Sequence, residues 1–236
     1  TQAEKQITSI SVKTNPTKTA YDHGDTIDLT GGVIQVTYDD NTTEDIDMTD
    51  PAVTIKTGSP ADINNPNVKL EYKSQETTFN ITVNDPIQSL SVATPMTQGE
   101  YDHGDTLNFA GLTLAAVTKS GATKTITNTT PGLAISETQA DVNSPNFTKI
   151  TGTSNVEVKG TQIIKFTYDG KTAQQTIIVN DRISSVNIVT QPNKTAIKYG
   201  EALDLTGATV KITLASGDTT NISLPDGSAT ISAFNN

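Results

Sequence analysis

The chain repeats itself, and this repeat constrains its fold more than any other feature of the sequence. Residues 21–29 read Tyr-Asp-His-Gly-Asp-Thr-Ile-Asp-Leu, and residues 101–109 read Tyr-Asp-His-Gly-Asp-Thr-Leu-Asn-Phe. A weaker third copy at residues 197–205 reads Ile-Lys-Tyr-Gly-Glu-Ala-Leu-Asp-Leu. The glycine of each copy is offset from the previous one by 80 and then by 96 residues. Such self-similarity predicts one structural unit used three times along the chain.

The ends of the copies predict the domain boundaries. The first two copies close alike, with Ile-Thr-Val-Asn-Asp at residues 81–85 and Ile-Ile-Val-Asn-Asp at residues 177–181. We therefore expect a first domain at residues 1–84, a second at residues 85–180 and a partial third at residues 181–236. The joints between them are very short, which predicts a semi-stiff row of domains rather than beads on a loose linker.

The second and third copies differ from the first in length. An insertion near residues 147–160 lengthens the second copy, and it predicts either a longer hairpin or a loop that binds something. The third copy stops early, because nothing in it matches the closing strands of the other two copies. Three explanations stay open, namely a boundary within a longer protein, a distinct shorter fold, and a strand donated by a partner.

The composition and the apolar pattern both favour β structure. Threonine is the commonest residue, with 42 of 236 positions, and its branched Cβ suits a strand better than a helix. Apolar residues alternate with polar ones, as at Ile34, Val36 and Tyr38, which is the period of a strand with one buried face. Only 33% of the chain is hydrophobic, so we expect an all-β protein with several small cores.

Charge and composition exclude several classes of protein. The formal net charge is -10 and Arg182 is the only arginine, so we expect no nucleic-acid partner. The absence of cysteine excludes disulfides and thiolate zinc sites. No apolar run approaches the roughly 18 residues that span a bilayer, so we expect no membrane insertion. The first residues lack the order of a signal peptide, so we expect a mature chain or an excised fragment.

Each copy places a glycine and then an acid just before a strand, at Gly24, Gly104 and Gly200. Glycine reaches positive φ at low cost, and the carboxylate that follows it can accept backbone N–H bonds. We therefore expect a tight structural turn in each copy. His23 and His103 occupy equivalent positions in separate copies, so they cannot form one zinc site and are expected to be polar turn residues.

Calcium binding is the functional alternative for the acids of these turns and of the joints. A calcium ion takes about six to eight oxygen ligands, so two or three acids in a cluster would need carbonyls and water to complete the set. The chain has no Asp-x-Asp-x-Asp-Gly loop. The sequence therefore assigns no cofactor, and it keeps calcium as an alternative on six candidate ligands, namely Asp22, Asp25, Asp85, Asp102, Asp105 and Asp181.

No pattern in the sequence supports catalysis. The chain lacks a Gly-x-Ser-x-Gly motif and a phosphate-binding Gly-x4-Gly-Lys-Ser/Thr loop. Serines and threonines are plentiful, but a nucleophile also needs an adjacent base and an oxyanion donor set. We therefore predict no catalytic residue and no enzymatic activity.

The repeated motifs resemble bacterial immunoglobulin-like domains of group 3. Residues 21–32 read Tyr-x-x-Gly-Asp-x-Ile-Asp-Leu-Thr-Gly-Gly, and residues 68–83 read Val-x-Leu-x-Tyr-x4-Thr-x-Phe-x-Ile-x-Val. The second copy departs at residues 110–112, where Ala-Gly-Leu replaces Thr-Gly-Gly, while the third keeps Leu-Asp-Leu-Thr-Gly at residues 203–207. The resemblance covers nearly the whole chain. It implies tandem immunoglobulin-like β-sandwiches, with the third copy incomplete.

The resemblance also implies where such a chain works and with what. It implies a secreted or cell-wall-attached bacterial protein, in which these domains act as stalks that project other domains from the cell. Neighbouring domains of the same surface protein are then the expected partners. Two alternatives stay open: an adhesin-type module that contacts a host protein or glycan, and accessory domains of a secreted glycan-degrading enzyme.

Overall fold

The computed structural model describes residues 4–150 and 156–227 of the chain. Every regular element in these two ranges is a β-strand, which confirms the all-β prediction. The chain divides into two compact units, one formed by residues 1–90 with 115–125 and the other by residues 91–114 with 126–236. The boundaries that the repeat suggests, after residues 84 and 180, stay a prediction.

The first copy lies in the first unit and forms eight strands. They are β1 (Ile7–Thr14), β2 (Ala20–Asp22), β3 (Val33–Tyr38), β4 (Thr43–Asp47), β5 (Val53–Thr57), β6 (Asn67–Tyr72), β7 (Gln75–Asn80) and β8 (Thr82–Asn84). Strands β1, β3 and β4 form one antiparallel sheet, in the order β1-β3-β4, and β5, β6 and β7 form a second. Strand β2 pairs with β8 in parallel.

The alternating apolar residues of the two sheets meet in one core. Ile34 and Val36 of β3 are fully buried, as are Val68 and Leu70 of β6, and all four belong to the same hydrophobic cluster. Their polar neighbours on each strand face outward, as the period of two requires. Burial of one such side chain is worth about 1.5–3 kcal/mol, so this small core holds the two sheets of the copy together.

Eleven further strands follow the first copy. They are β9 (Ile87–Thr94), β10 (Glu100–Asp102), β11 (Thr113–Thr118), β12 (Thr123–Thr127), β13 (Ala134–Ile135), β14 (Phe147–Ile150), β15 (Val158–Tyr168), β16 (Lys171–Asp181), β17 (Ile183–Thr190), β18 (Thr209–Leu214) and β19 (Thr219–Ser223). They form sheets of order β12-β11-β9, β10-β16-β15-β13 and β17-β18-β19, and β14 also pairs with β15. Strand β10 is parallel to β16, as β2 is to β8.

The insertion of the second copy contributes a strand to a sheet, which is the longer hairpin that its length predicted. Strand β14 pairs antiparallel with the first half of β15, and residues 151–155 of the insertion lie outside the described residues. The ring of Phe147 lies directly over Gly160 of β15, because a Cβ built on Gly160 would stand 2.2 Å from that ring. Gln162 is fully buried beside this pairing and donates to Glu137 and to the Gln139 carbonyl.

The third copy exposes apolar residues that the first copy buries. Ile10 of β1 is 8% exposed, whereas its equivalent Val186 of β17 is 56% exposed and the neighbouring Ile188 is 64% exposed. In both copies this strand pairs antiparallel with its equivalent neighbour, which is β3 in the first copy and β18 in the third. The difference is the second sheet: β5, β6 and β7 cover the first copy, while the described part of the third copy contains β17, β18 and β19.

This contrast gives a matched pair of substitutions. Leu70→Ala removes a fully buried side chain of the first core, and we expect it to lower the free energy of unfolding by about 2–5 kcal/mol. Leu203→Ala removes the same atoms from a side chain that is 40% exposed, so its effect should be much smaller. Urea unfolding followed by circular dichroism measures both, and equal losses would contradict the two levels of burial.

Candidate functional site at the joints between copies

The turn that the repeat singled out closes on itself through its aspartates. The Asp25 carboxylate accepts the backbone N–H of Asp22 at 3.1 Å, and the Asp25 N–H donates to the Asp22 carbonyl at 3.0 Å. Gly24 between them has a φ of 84°, which a side chain would strain. The glycine N–H donates to the Ala61 carbonyl at 2.7 Å. The turn is therefore tied both to itself and to the loop before β6.

The second and third copies repeat this turn. The Asp102 N–H donates to the Asp105 carboxylate at 2.9 Å, and the Lys198 N–H donates to the Glu201 carboxylate at 3.0 Å. The middle glycines have φ values of 90° and 77°. Because a carboxylate captures the same backbone N–H in all three copies, the predicted structural turn is confirmed.

A buried tyrosine anchors the turn in the first two copies. The hydroxyl of Tyr21 accepts the Asp28 N–H at 3.1 Å and donates toward the Lys18 carbonyl at 2.9 Å. Tyr101 accepts the Asn108 N–H in the same way, at 3.2 Å. Both rings are almost fully buried. A buried ring that satisfies its own hydroxyl fixes the chain on both sides of the turn.

Each histidine of the repeat serves its own copy. The Nδ1 atom of His23 accepts the backbone N–H of Ile63 at 3.2 Å, and that of His103 accepts the N–H of Val142 at 3.3 Å. An aspartate carboxylate stands near each of these nitrogens. The histidines thus act as turn residues, as the sequence predicted.

The first residue of the next copy contacts a hairpin of that copy at both joints. The Asp85 carboxylate accepts the Ser120 N–H at 2.8 Å and the Ser120 hydroxyl at 2.6 Å. At the second joint the Asp181 carboxylate accepts the Ser216 N–H at 2.9 Å. These two aspartates, which the sequence placed among the calcium candidates, therefore hold the β-hairpin turn that follows them. The Ser120 hydroxyl lowers the pKa of Asp85.

One cation at each joint reaches the acidic turn of the copy before it. Lys119 Nζ lies 2.8 Å from Asp25 Oδ1, and Arg182 Nε lies 2.7 Å from Asp102 Oδ1. The hydrogen bond from Lys119 holds the pKa of Asp25 below its usual value, and Asp102 raises the pKa of Arg182. Both ion pairs are partly exposed, so each is a weak interaction that salt screens.

The six calcium candidates therefore split into two groups, one at each joint. Asp22, Asp25 and Asp85 belong to the first joint, and their equivalents belong to the second. In the described ranges, no three His, Cys, Asp or Glu side chains stand together in a way that could hold a metal ion. One oxygen of the fully buried Asp181 carboxylate accepts no hydrogen bond. Calcium binding stays the alternative that the sequence left open.

Sequence reasoning found the acids of the joints and missed their partners. Lys119, Ser120 and Ser216 lie in hairpin turns far along the chain from the acids they contact, and Arg182 was noted only as the single arginine. A signal was available, because Lys-Ser-Gly at 119–121 and Ala-Ser-Gly at 215–217 are offset by the same 96 residues as the glycines. Aligning the copies beyond the turn would have paired each serine with its aspartate.

Comparison with known proteins identifies the family. The family described as bacterial Ig-like domain, group 3, matches residues 14–83. This match lies within the first copy, whose motifs carried the resemblance. A search among curated proteins found no match. No helix among the described residues is long and apolar enough to span a membrane.

Solved structures offer further similarities. One described as "Solution structure of a putative surface protein" is 32% identical, with 35% of this chain and 91% of that chain covered and a TM-score of 0.20. Domains 4–9 of the surface layer protein SbsC are 13% identical, with 92% and 38% covered and a TM-score of 0.23. Domains 1–6 of SbsC are 15% identical, with 90% and 32% covered and a TM-score of 0.20. At these TM-scores the structural similarities carry no argument.

The Asp25 carboxylate offers a direct test of the first joint. Because its pKa is lowered in the folded protein, its ion pair adds stability at pH values above the usual aspartate pKa of 3.8. That stability is lost as the pH falls through the lowered value. Lys119→Ala should raise the pKa of Asp25 toward 3.8, measured by the pH dependence of its carboxyl carbon chemical shift. An unchanged titration curve would show that Lys119 does not face Asp25 in solution.

Calcium binding can be tested on the same carboxylates. A calcium ion at the first joint would compete with Lys119 for Asp25, so Lys119→Ala should bind calcium more tightly than the unaltered chain. Asp85→Asn should weaken any such binding. Isothermal titration with calcium chloride measures both, and an absence of heat with all three proteins would remove calcium from consideration.

Proposed function

We propose that this chain is a non-enzymatic structural segment of a bacterial cell-surface or secreted protein, which projects other domains away from the cell. The bacterial Ig-like family of its first copy supports this class of function and a bacterial source. Neighbouring domains of the same protein are the partners that such a segment would have.

The observation that carries the proposal is that at both joints a cation of the following copy pairs with the acidic turn of the copy before it, Lys119 with Asp25 and Arg182 with Asp102. An aspartate at the start of the following copy accepts the N–H of a hairpin serine, at 2.8 Å in the first joint and 2.9 Å in the second. A backbone bond in the same hairpin, at 2.9 Å in both joints, runs to the residue after that aspartate. A spacer needs joints that keep their geometry, and an ion pair repeated at both joints supports this role.

The second feature that supports the proposal is the polar character of the joint contacts. They include hydrogen bonds and ion pairs such as that of Lys119 with Asp25. Such contacts tolerate water on all sides. The net charge of -10 also opposes association of one chain with another, which suits a segment exposed outside the cell.

The proposal is tested by how narrowly the first joint holds its geometry. The chain contains no cysteine, so Thr54→Cys and Thr172→Cys, both at exposed positions, give one labelling pair without background. We expect double electron–electron resonance between spin labels at these sites to give a narrow distance distribution. A flexible linker would instead spread the ends over roughly 5–6 Å times the square root of its length in residues.

A broad distribution would overturn the spacer proposal. An array of host proteins and glycans, probed with the same chain, separates it from the adhesin alternative. A specific ligand that is lost when the exposed Lys149 and Ile150 of β14 are changed would favour a binding module instead. A narrow distance distribution with no ligand on the array supports a spacer.

A further inference from the structure

The two joints use different residues of the following copy to supply the same charge. At the first joint the cation is Lys119, in the hairpin turn between β11 and β12. At the second joint the equivalent position holds Ala215, and the cation is Arg182, at the start of the copy. The position equivalent to Arg182 in the first joint holds Pro86. Each joint thus has a cation at one of the two positions and an uncharged residue at the other.

The two positions are neighbours in the structure. The N–H of Lys119 donates to the carbonyl of Pro86 at 2.9 Å, and the N–H of Ala215 donates to the carbonyl of Arg182 at 2.9 Å. A long side chain from either position therefore starts at the same place in the joint. From there Lys119 reaches Asp25, the last acid of the first turn. Arg182 reaches Asp102, the first acid of the equivalent turn in the second copy.

We propose that these two positions act as one cation position, which fastens each following copy to the acidic turn of the copy before it. The inference deepens the spacer function and rests on it. The cation can stand on the hairpin or on the first residues of the copy, because the backbone bond between them keeps both within reach of the turn. The turn carboxylates lie in a chain of net charge -10, so a positive charge at this position stabilises them.

At the second joint the hydrogen bond of the cation goes to the turn, although Arg182 also lies near Glu100. Glu100 lies next to this turn, and Lys159 binds it at 3.0 Å. Arg182 pairs with Asp102 instead, at 2.7 Å. The neighbouring acid thus has its own cation, and the cation position serves the turn.

The first and third copies show the limits of this pairing. In the first copy the two equivalent positions hold Gln6 and Asp39, so it offers no cation at either place. In the third copy the turn carries Lys198 in place of the first aspartate, and Glu201 is already paired with Lys194. That turn therefore lacks two carboxylates that are free of a cation partner. In this chain the acidic turns of the first and second copies therefore pair with cations of the second and third copies.

The test moves the cation from one position to the other in the full chain. Lys119→Ala should broaden the distance distribution between labels at Thr54→Cys and Thr172→Cys, with an open population that rises by up to about fivefold, as for loss of one exposed ion pair. Adding Pro86→Arg to Lys119→Ala should restore the narrow distribution, because it copies the second joint. Lys124→Ala, which removes an exposed lysine from the same hairpin, should change nothing.

The outcomes separate this inference from the spacer proposal. A broad distribution in the unaltered chain would overturn the spacer proposal itself. A narrow one that Lys119→Ala leaves unchanged, or that Pro86→Arg fails to restore, would overturn only the shared cation position. Circular dichroism checks that each variant is folded. If Pro86→Arg is not, the reciprocal pair Arg182→Ala and Ala215→Lys, with labels at Thr172→Cys and Thr219→Cys, decides the question at the second joint.

Discussion

The capture of a backbone N–H by a turn carboxylate is the interaction on which the repeated structure depends. Asp25, Asp105 and Glu201 each accept the N–H of the residue three positions earlier, and a glycine with positive φ makes the reversal possible. In the first two copies this bond holds the turn carboxylates next to the following copy. There Asp25 pairs with Lys119, and Asp102 pairs with Arg182. In the first two copies the turn therefore lies between a buried tyrosine of the core and the ion pair of the joint.

The sequence predicted this turn because its cause is local. A glycine followed directly by an acid is enough to predict the chain reversal of the turn. The alternation of residues such as Ile34 and Val36 is enough to predict which strand faces are buried. The cations were missed because their role depends on tertiary structure. Lys119 lies 94 residues from Asp25 along the chain, and nothing near it in sequence distinguishes it from other exposed lysines. The fold was therefore predictable, and the joint only in part.

The first and third copies show that local pattern and burial are separate matters. The strand β17 has the apolar alternation of β1 and the same antiparallel pairing with its neighbour, yet its residues are exposed. The burial of Ile10 comes from the sheet formed by β5, β6 and β7, which lies far along the chain. The alternation of apolar residues in a strand therefore predicts which face is apolar, whereas the other strands of the copy determine whether that face is buried.

The parallel pairs β2–β8 and β10–β16 determine how a copy would respond to tension. In each of the first two copies the short strand near the start lies beside the last strand, with three residues in register, as Tyr21 is with Val83. A pull on the two ends of the copy acts along these strands and in opposite directions. Their hydrogen bonds would then be sheared together instead of opening one after another like a zipper. Resistance to stretching thus resides in a few bonds next to the acidic turn.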